Sequence, residues 1–131
     1  MLVFDYRCFG GSEGEPRELV SIRRQLQDYS AAIEFARAMD GVDPGRIALW
    51  GTSYSGGHVV ELASRDARIA AVISQVPNLD SLATLRYVVR NTPGRRLRWI
   101  AGAILRDALR GLLRRPPFYI RSIAPDGELA A

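Results

Sequence analysis

The tightest constraint in the sequence is an apolar run, Ile47-Ala48-Leu49-Trp50, that passes directly into Gly51-Thr52-Ser53-Tyr54-Ser55-Gly56-Gly57. The run lacks the polar alternation of a half-exposed strand, so it is expected to be a strand buried on both faces. Its glycines permit a sharp turn, after which Val59, Val60, Leu62 and Ala63 fit a helix. Similar units flank it. Leu2-Val3-Phe4 reads as a short strand ending at Asp5, followed by a loop with Gly10, Gly11, Gly14 and Pro16. From Ser21, a candidate N-cap, Ile22, Leu26, Tyr29, Ile33 and Phe35/Ala36 draw one face of a helix that should stop near Met39, before Asp40-Gly41. Asp43-Pro44-Gly45 is a turn, and Ile69-Ala70-Ala71-Val72-Ile73 is a third apolar run ending near Val76-Pro77. Strand, helix, strand, helix, strand implies an α/β fold with a parallel sheet and right-handed crossovers.

The second half changes character. Ser81 to Arg90 reads as helix, Thr92-Pro93-Gly94 breaks it, and Arg95 to Arg114 forms a long amphipathic helix. At about 100° per residue, Leu97, Ile100, Ala101, Ile104, Leu105, Ala108 and Leu112 fall on one face and Arg96, Arg106, Arg110 and Arg114 on the other. Pro116-Pro117 ends it, and Phe118 to Ala131 shows no pattern. The expected division is therefore residues 1–80 as an α/β core and 81–131 as a helical segment with a tail. The net charge of +4 is local, because residues 86–121 hold ten arginines against Asp107 alone. All 18 basic residues are arginine and none is lysine, so part of the excess reflects a coding preference. It is a weak argument for a nucleic-acid partner, and none is expected.

Several classes of chemistry are excluded by what the chain holds. One cysteine, Cys8, rules out an internal disulfide and a multi-cysteine zinc site, and one histidine, His58, rules out a multi-histidine metal centre. No metal or cofactor is expected. There is no Gly-Lys-Ser/Thr phosphate loop, and Gly10-Gly11-Ser12-Glu13-Gly14 does not give G-x-G-x-x-G. The longest apolar run, Trp99 to Leu105, is seven residues between two arginines. A bilayer needs roughly 20, so no transmembrane segment is expected. With no basic-then-apolar leader, the expected location is the cytoplasm.

Positive chemistry concentrates at Ser53. A serine on a sharp strand-to-helix turn is held in a strained backbone that tolerates only small neighbours and pushes its hydroxyl out at the carboxyl edge of the sheet. The N–H of Tyr54, opening the following helix, then faces the place where a tetrahedral oxyanion forms. The G-x-S-x-G pattern carries Ser55 at its fifth position, where serine is small enough to serve. His58 follows Ser53 by five residues, so the helix carries it away from the hydroxyl; it is expected to pack against a neighbouring strand. Cys8 is expected to be a small buried residue.

These residues carry a family resemblance. Leu2-Val3-Phe4-Asp5-Tyr6-Arg7-Cys8-Phe9-Gly10-Gly11-Ser12 resembles the D-x-R-G-x-G-x-S segment after the fourth strand of α/β-hydrolases, with Cys8 in place of glycine. Arg46 to Gly57 is similar to their fifth strand and nucleophile elbow, in the manner of dienelactone-hydrolase-like and Xaa-Pro-dipeptidyl-peptidase-like serine hydrolases. The resemblance implies that Ser53 is the nucleophile of a hydrolase of carboxylic esters or amides, acting on a small molecule, and that Tyr54 supplies one oxyanion-hole amide. Asp80 matches the place where some members keep the triad acid, and a helix cap explains it equally. Residues 81–131 correspond to a cap or lid. The family's third strand would lie between Leu2–Phe4 and Ile47–Trp50, and its triad histidine follows the acid in chain order. The 131 residues are therefore expected to be an internal fragment without its base, inactive alone. The alternative function is a non-catalytic protein that binds an anionic membrane surface or a nucleic acid through the basic helix 95–114.

Overall fold

The computed structural model describes residues 1–119 and divides the chain into two compact units, Met1–Asp80 and Ser81–Ala131. In the first, helix α1 (Ile22–Arg37) precedes strand β1 (Ile47–Thr52), helix α2 (Tyr54–Arg65) and strand β2 (Ile69–Gln75). β1 and β2 pair in parallel, with Leu49 opposite Val72, Trp50 opposite Ile73 and Thr52 opposite Gln75. Joined by α2, they form the crossover unit that defines an α/β fold.

α2 packs on both strands, and α1 packs on α2 and β1, all on one side of the sheet. The core is small. Ile33, Leu49, Val59 and Leu62 are buried, with Leu26, Tyr29, Ile47, Ile69 and Val72 packed around them. Burying each such aliphatic side chain stabilises by roughly 1.5–3 kcal/mol. The expected helix that stops near Met39 ends at Arg37, with Ala38 as C-cap, and Ser21 takes an extended N-cap backbone without a side-chain capping bond. Phe35 lies off the apolar stripe, 61% exposed, whereas Gln25, one turn along from Ile22, is buried.

Two expectations fail here. β1 is buried on one face only: Leu49 and Gly51 are covered, while Ala48, Trp50 and Thr52 are exposed, as are their partners Ala71, Ile73 and Gln75. The helices of this unit cover one side, although the apolar run suits cover on both. Leu2–Phe4 is not a strand, because among the described residues no neighbouring backbone pairs with it. Its Phe4 ring instead meets Tyr6 and Tyr29 edge to face, each with centroids 5.2 Å apart. Tyr29 also donates its hydroxyl to the Trp50 carbonyl oxygen at 2.9 Å, so its side chain bridges the segment to β1.

The second unit holds α3 (Ser81–Asn91) and α4 (Gly94–Leu112), with Pro93 as the N-cap of α4. Neither helix buries a residue, and Leu85, Ile104, Leu105 and Leu112 are all more than half exposed. Phe118 packs its ring under Arg106, 4.3 Å from the guanidinium carbon, and its N–H donates to Asp107. Among the described residues, no helix is long and apolar enough to cross a membrane. Most of the tail, residues 120–131, lies outside the described residues.

Candidate active site

β1 delivers the chain to Ser53 and α2 begins at Tyr54, so the serine occupies the whole turn between strand and helix. Its backbone takes φ 56° and ψ −112°, a region that non-glycine residues avoid and that costs of order 1–3 kcal/mol. The surroundings fix it there. The Ser53 N–H donates to the Gln75 carbonyl at 2.9 Å, and the Ser53 carbonyl accepts from Asn78 at 2.9 Å and from Gly57 at 3.3 Å. The exit of β2 thus clamps the turn, and Ser53 remains exposed.

Two glycines make the turn sterically possible. A Cβ on Gly51 would sit 2.6 Å from the carbonyl carbon of Ser55 and closer still to its oxygen. One on Gly57 would fall against the Asn78 carbonyl, 3.3 Å from its carbon and closer to its oxygen. At the intervening fifth position, Ser55 is accommodated because its side chain turns back on the strand end. Its Oγ accepts from the Thr52 N–H and donates to the Thr52 carbonyl, both at 3.0 Å. The sequence signal for this arrangement is the departure from glycine itself.

Tyr54 opens α2, so position alone leaves its N–H without an intrahelical acceptor and at the positive end of the helix dipole. Its ring meets the His58 ring edge to face with centroids 5.8 Å apart. His58 is 4% exposed, and its Nε2 lies 3.0 Å from Oε1 of Gln25 on α1; with that oxygen accepting, the proton resides on Nε2. Tyr6 flanks the ring at 6.3 Å. Burial pushes the His58 pKa down, against an upward pull from Glu61. The expected strand partner of His58 is therefore replaced by a helix partner, Gln25, which sequence reasoning missed. The spacing from Ile22 through Gln25 to Tyr29 would have revealed it as a residue on the buried stripe.

The D-x-R segment forms a hydrogen-bonded loop tied to α1 through Asp28. The Arg7 backbone N–H donates to Oδ2 of Asp28 at 2.9 Å and its Nε to Oδ1 at 2.6 Å. Asp5 accepts from the Gly11 N–H at 2.9 Å and, through its carbonyl, from the Ser12 hydroxyl at 2.7 Å. Cys8 is 1% exposed and has φ 71°, which accounts for the glycine the motif usually places there. Tyr6 is half-buried, and burial, with Tyr29 and Asp28 nearby, pushes its pKa up to about 12. Asp80 is exposed and directly precedes α3, two residues beyond the Asn78 that bonds Ser53.

Comparison with known proteins follows the same lines. The family model for X-Pro dipeptidyl-peptidases (S15 family) matches residues 1–102. The quorum-quenching protein AidA of Acinetobacter baumannii strain MDR-ZJ06 is 44% identical over 129 residues, 98% of this chain and 41% of its own length. Thiohydrolase aneE of Aspergillus aculeatus is 41% identical over 81 residues, 62% of this chain and 26% of its own. The crystal structure of the α/β-hydrolase GrgF from Penicillium sp. sh18 superposes with a TM-score of 0.66 at 28% identity, covering 96% of this chain and 40% of that one. The chain thus spans about 41% of AidA and 40% of GrgF. A strained serine between a parallel strand and a helix, and a family match over most of the sequence, lead to one assignment: the chain belongs to the X-Pro dipeptidyl-peptidase (S15) family and has a partial α/β-hydrolase fold.

Proposed function

We propose that these residues carry the nucleophile of a serine hydrolase that cleaves a carboxylic ester or amide of a small molecule through an acyl-enzyme on Ser53. The observation that carries this reading is the backbone of Ser53, φ 56° and ψ −112°, on an exposed turn at the start of a 12-residue helix. Its Oγ attacks the carbonyl carbon, and the Tyr54 N–H donates to the oxyanion that forms. The leaving group departs with a proton, and water then hydrolyses the acyl-enzyme. The thiohydrolase name of one relative adds thioesters to the acyl substrates worth testing. Asp80 is proposed as the acid, and residues 81–131 as a cap segment, given the exposed apolar positions of α3 and α4.

The base is the missing part. His58 is the one histidine of the chain and its Nε2 is engaged by Gln25. Loss of a triad base lowers rate by several orders of magnitude, so the 131 residues alone are expected to react slowly. Adding imidazole to the chain supplies a base in solution. A fluorophosphonate probe should then label Ser53 faster, read as a mass adduct on the peptide containing it, and Ser53→Ala should abolish the adduct. Labelling that survives Ser53→Ala, or that imidazole leaves undetectable, sinks the proposal.

A further inference from the structure

The hydroxyl of Ser55 ties the first turn of α2 back to the residue preceding the nucleophile. It accepts from the Thr52 N–H and donates to the Thr52 carbonyl, each at 3.0 Å, closing a loop with Ser53 at its apex. We infer that Ser55 is a positioning residue for Ser53, an inference that rests on the nucleophile reading above. The other backbone ties to Ser53 are Gln75 at the end of β2, which holds its N–H, and Asn78 beyond β2 and Gly57 in α2, which both donate to its carbonyl. They anchor the peptide groups on either side of the serine. Ser55 instead restrains Thr52, whose ψ sets the direction in which the Ser53 Cα–Cβ bond leaves the turn. Thr52 is also at the edge of order: it is the last residue of β1, and its own hydroxyl reaches Gln75 Oε1 at 3.0 Å.

A glycine at position 55 would remove both of these bonds to Thr52. The fifth-position glycine of the motif therefore meets only the space requirement. Serine meets it and adds two hydrogen bonds that favour the strained turn over relaxed alternatives, in which the Ser53 hydroxyl would swing away from the Tyr54 N–H. A strained backbone persists only when its surroundings over-determine it, and at this turn Ser55 is part of that over-determination.

The test uses Ser55→Ala, Ser55→Gly and Ser55→Thr in the 131-residue chain. Hydrogen exchange at the Thr52 amide should rise at least tenfold in the alanine and glycine variants. The amide coupling constant that reports φ at Ser53 should move from its left-handed value toward an average. Threonine, which keeps the hydroxyl, should restore both. Imidazole-assisted labelling of Ser53 by the fluorophosphonate should fall about tenfold in Ser55→Ala and recover in Ser55→Thr, while the melting temperature changes little. Unchanged exchange and coupling in Ser55→Ala, or wild-type labelling despite altered exchange, overturns the inference. Failure of the wild-type chain to label at Ser53 counts against the nucleophile reading instead, and the exchange and coupling data still decide whether Ser55 sets the turn.

Discussion

At Ser53 the cost and the use of the backbone can be separated by substitution. Ser53→Gly removes the steric penalty of φ 56° and ψ −112°, of order 1–3 kcal/mol, and adds the unfolded-state entropy of glycine, about 0.5–1 kcal/mol. The strain is the larger quantity, so Ser53→Gly should raise stability by about 1 kcal/mol in urea unfolding while removing the labelled hydroxyl. Ser53→Ala keeps the Cβ and the strain, and should leave the midpoint nearly unchanged. A glycine variant less stable than the alanine variant would show that the turn is not strained. Cys8 presents the same physics without an assigned role, with φ 71° and a buried thiol where the motif has glycine. The elbow was legible because Gly51 and Ser53 sit between an apolar run and a helical pattern. The bond from Ser55 to Thr52 was not, because it depends on the pitch of a helical turn that a motif string does not encode.

The elements differ in how tightly they are docked, and glycine reports this. Within a helix, Gly→Ala normally stabilises by about 1 kcal/mol. At Gly57 the added methyl meets the Asn78 carbonyl, backbone that cannot rotate away, and overpacking costs typically about 1–3 kcal/mol. The clash prevails, so Gly57→Ala should lower stability and loosen α2 from the exit of β2. At Gly102 in α4 a Cβ meets nothing within 4 Å, so Gly102→Ala should raise helicity by circular dichroism. Equal effects at the two sites would contradict the packing described for α2. The contact between α1 and α2 is pH-dependent through His58, buried against Gln25, Tyr6 and Tyr54 with Glu61 on its own helix. Its folded pKa lies below the unfolded value of about 6.5, so the folded chain binds fewer protons than the unfolded one as pH falls through that value. Stability from this group is complete above about pH 6.5 and declines below it. His58→Gln should flatten that part of the pH profile in thermal melts, and an unchanged slope would mean that the ring is not held neutral.

On the scale of the molecule, the parallel strands and crossover helix were readable from alternation alone, because apolar runs of strand length separated by helical stripes admit few other folds. What pairs with what was not readable. Leu2-Val3-Phe4 has strand composition, yet a strand exists only where a neighbouring backbone meets its N–H and C=O groups, and composition carries no information about that neighbour. The same limit applies to β1, whose sequence suits two covered faces while α1 and α2 cover one. The uncovered face presents Trp50 at 61% and Ile73 at 59% exposure, side by side in register. Adjacent apolar side chains on an open sheet face bind hydrophobic dyes and invite association. Trp50→Ser with Ile73→Ser should therefore reduce dye fluorescence and light scattering. Because both side chains are already more than half in water, each substitution should change stability by only about 0.5 kcal/mol. A loss of several kcal/mol on unfolding the double variant would instead place these two side chains in a buried core.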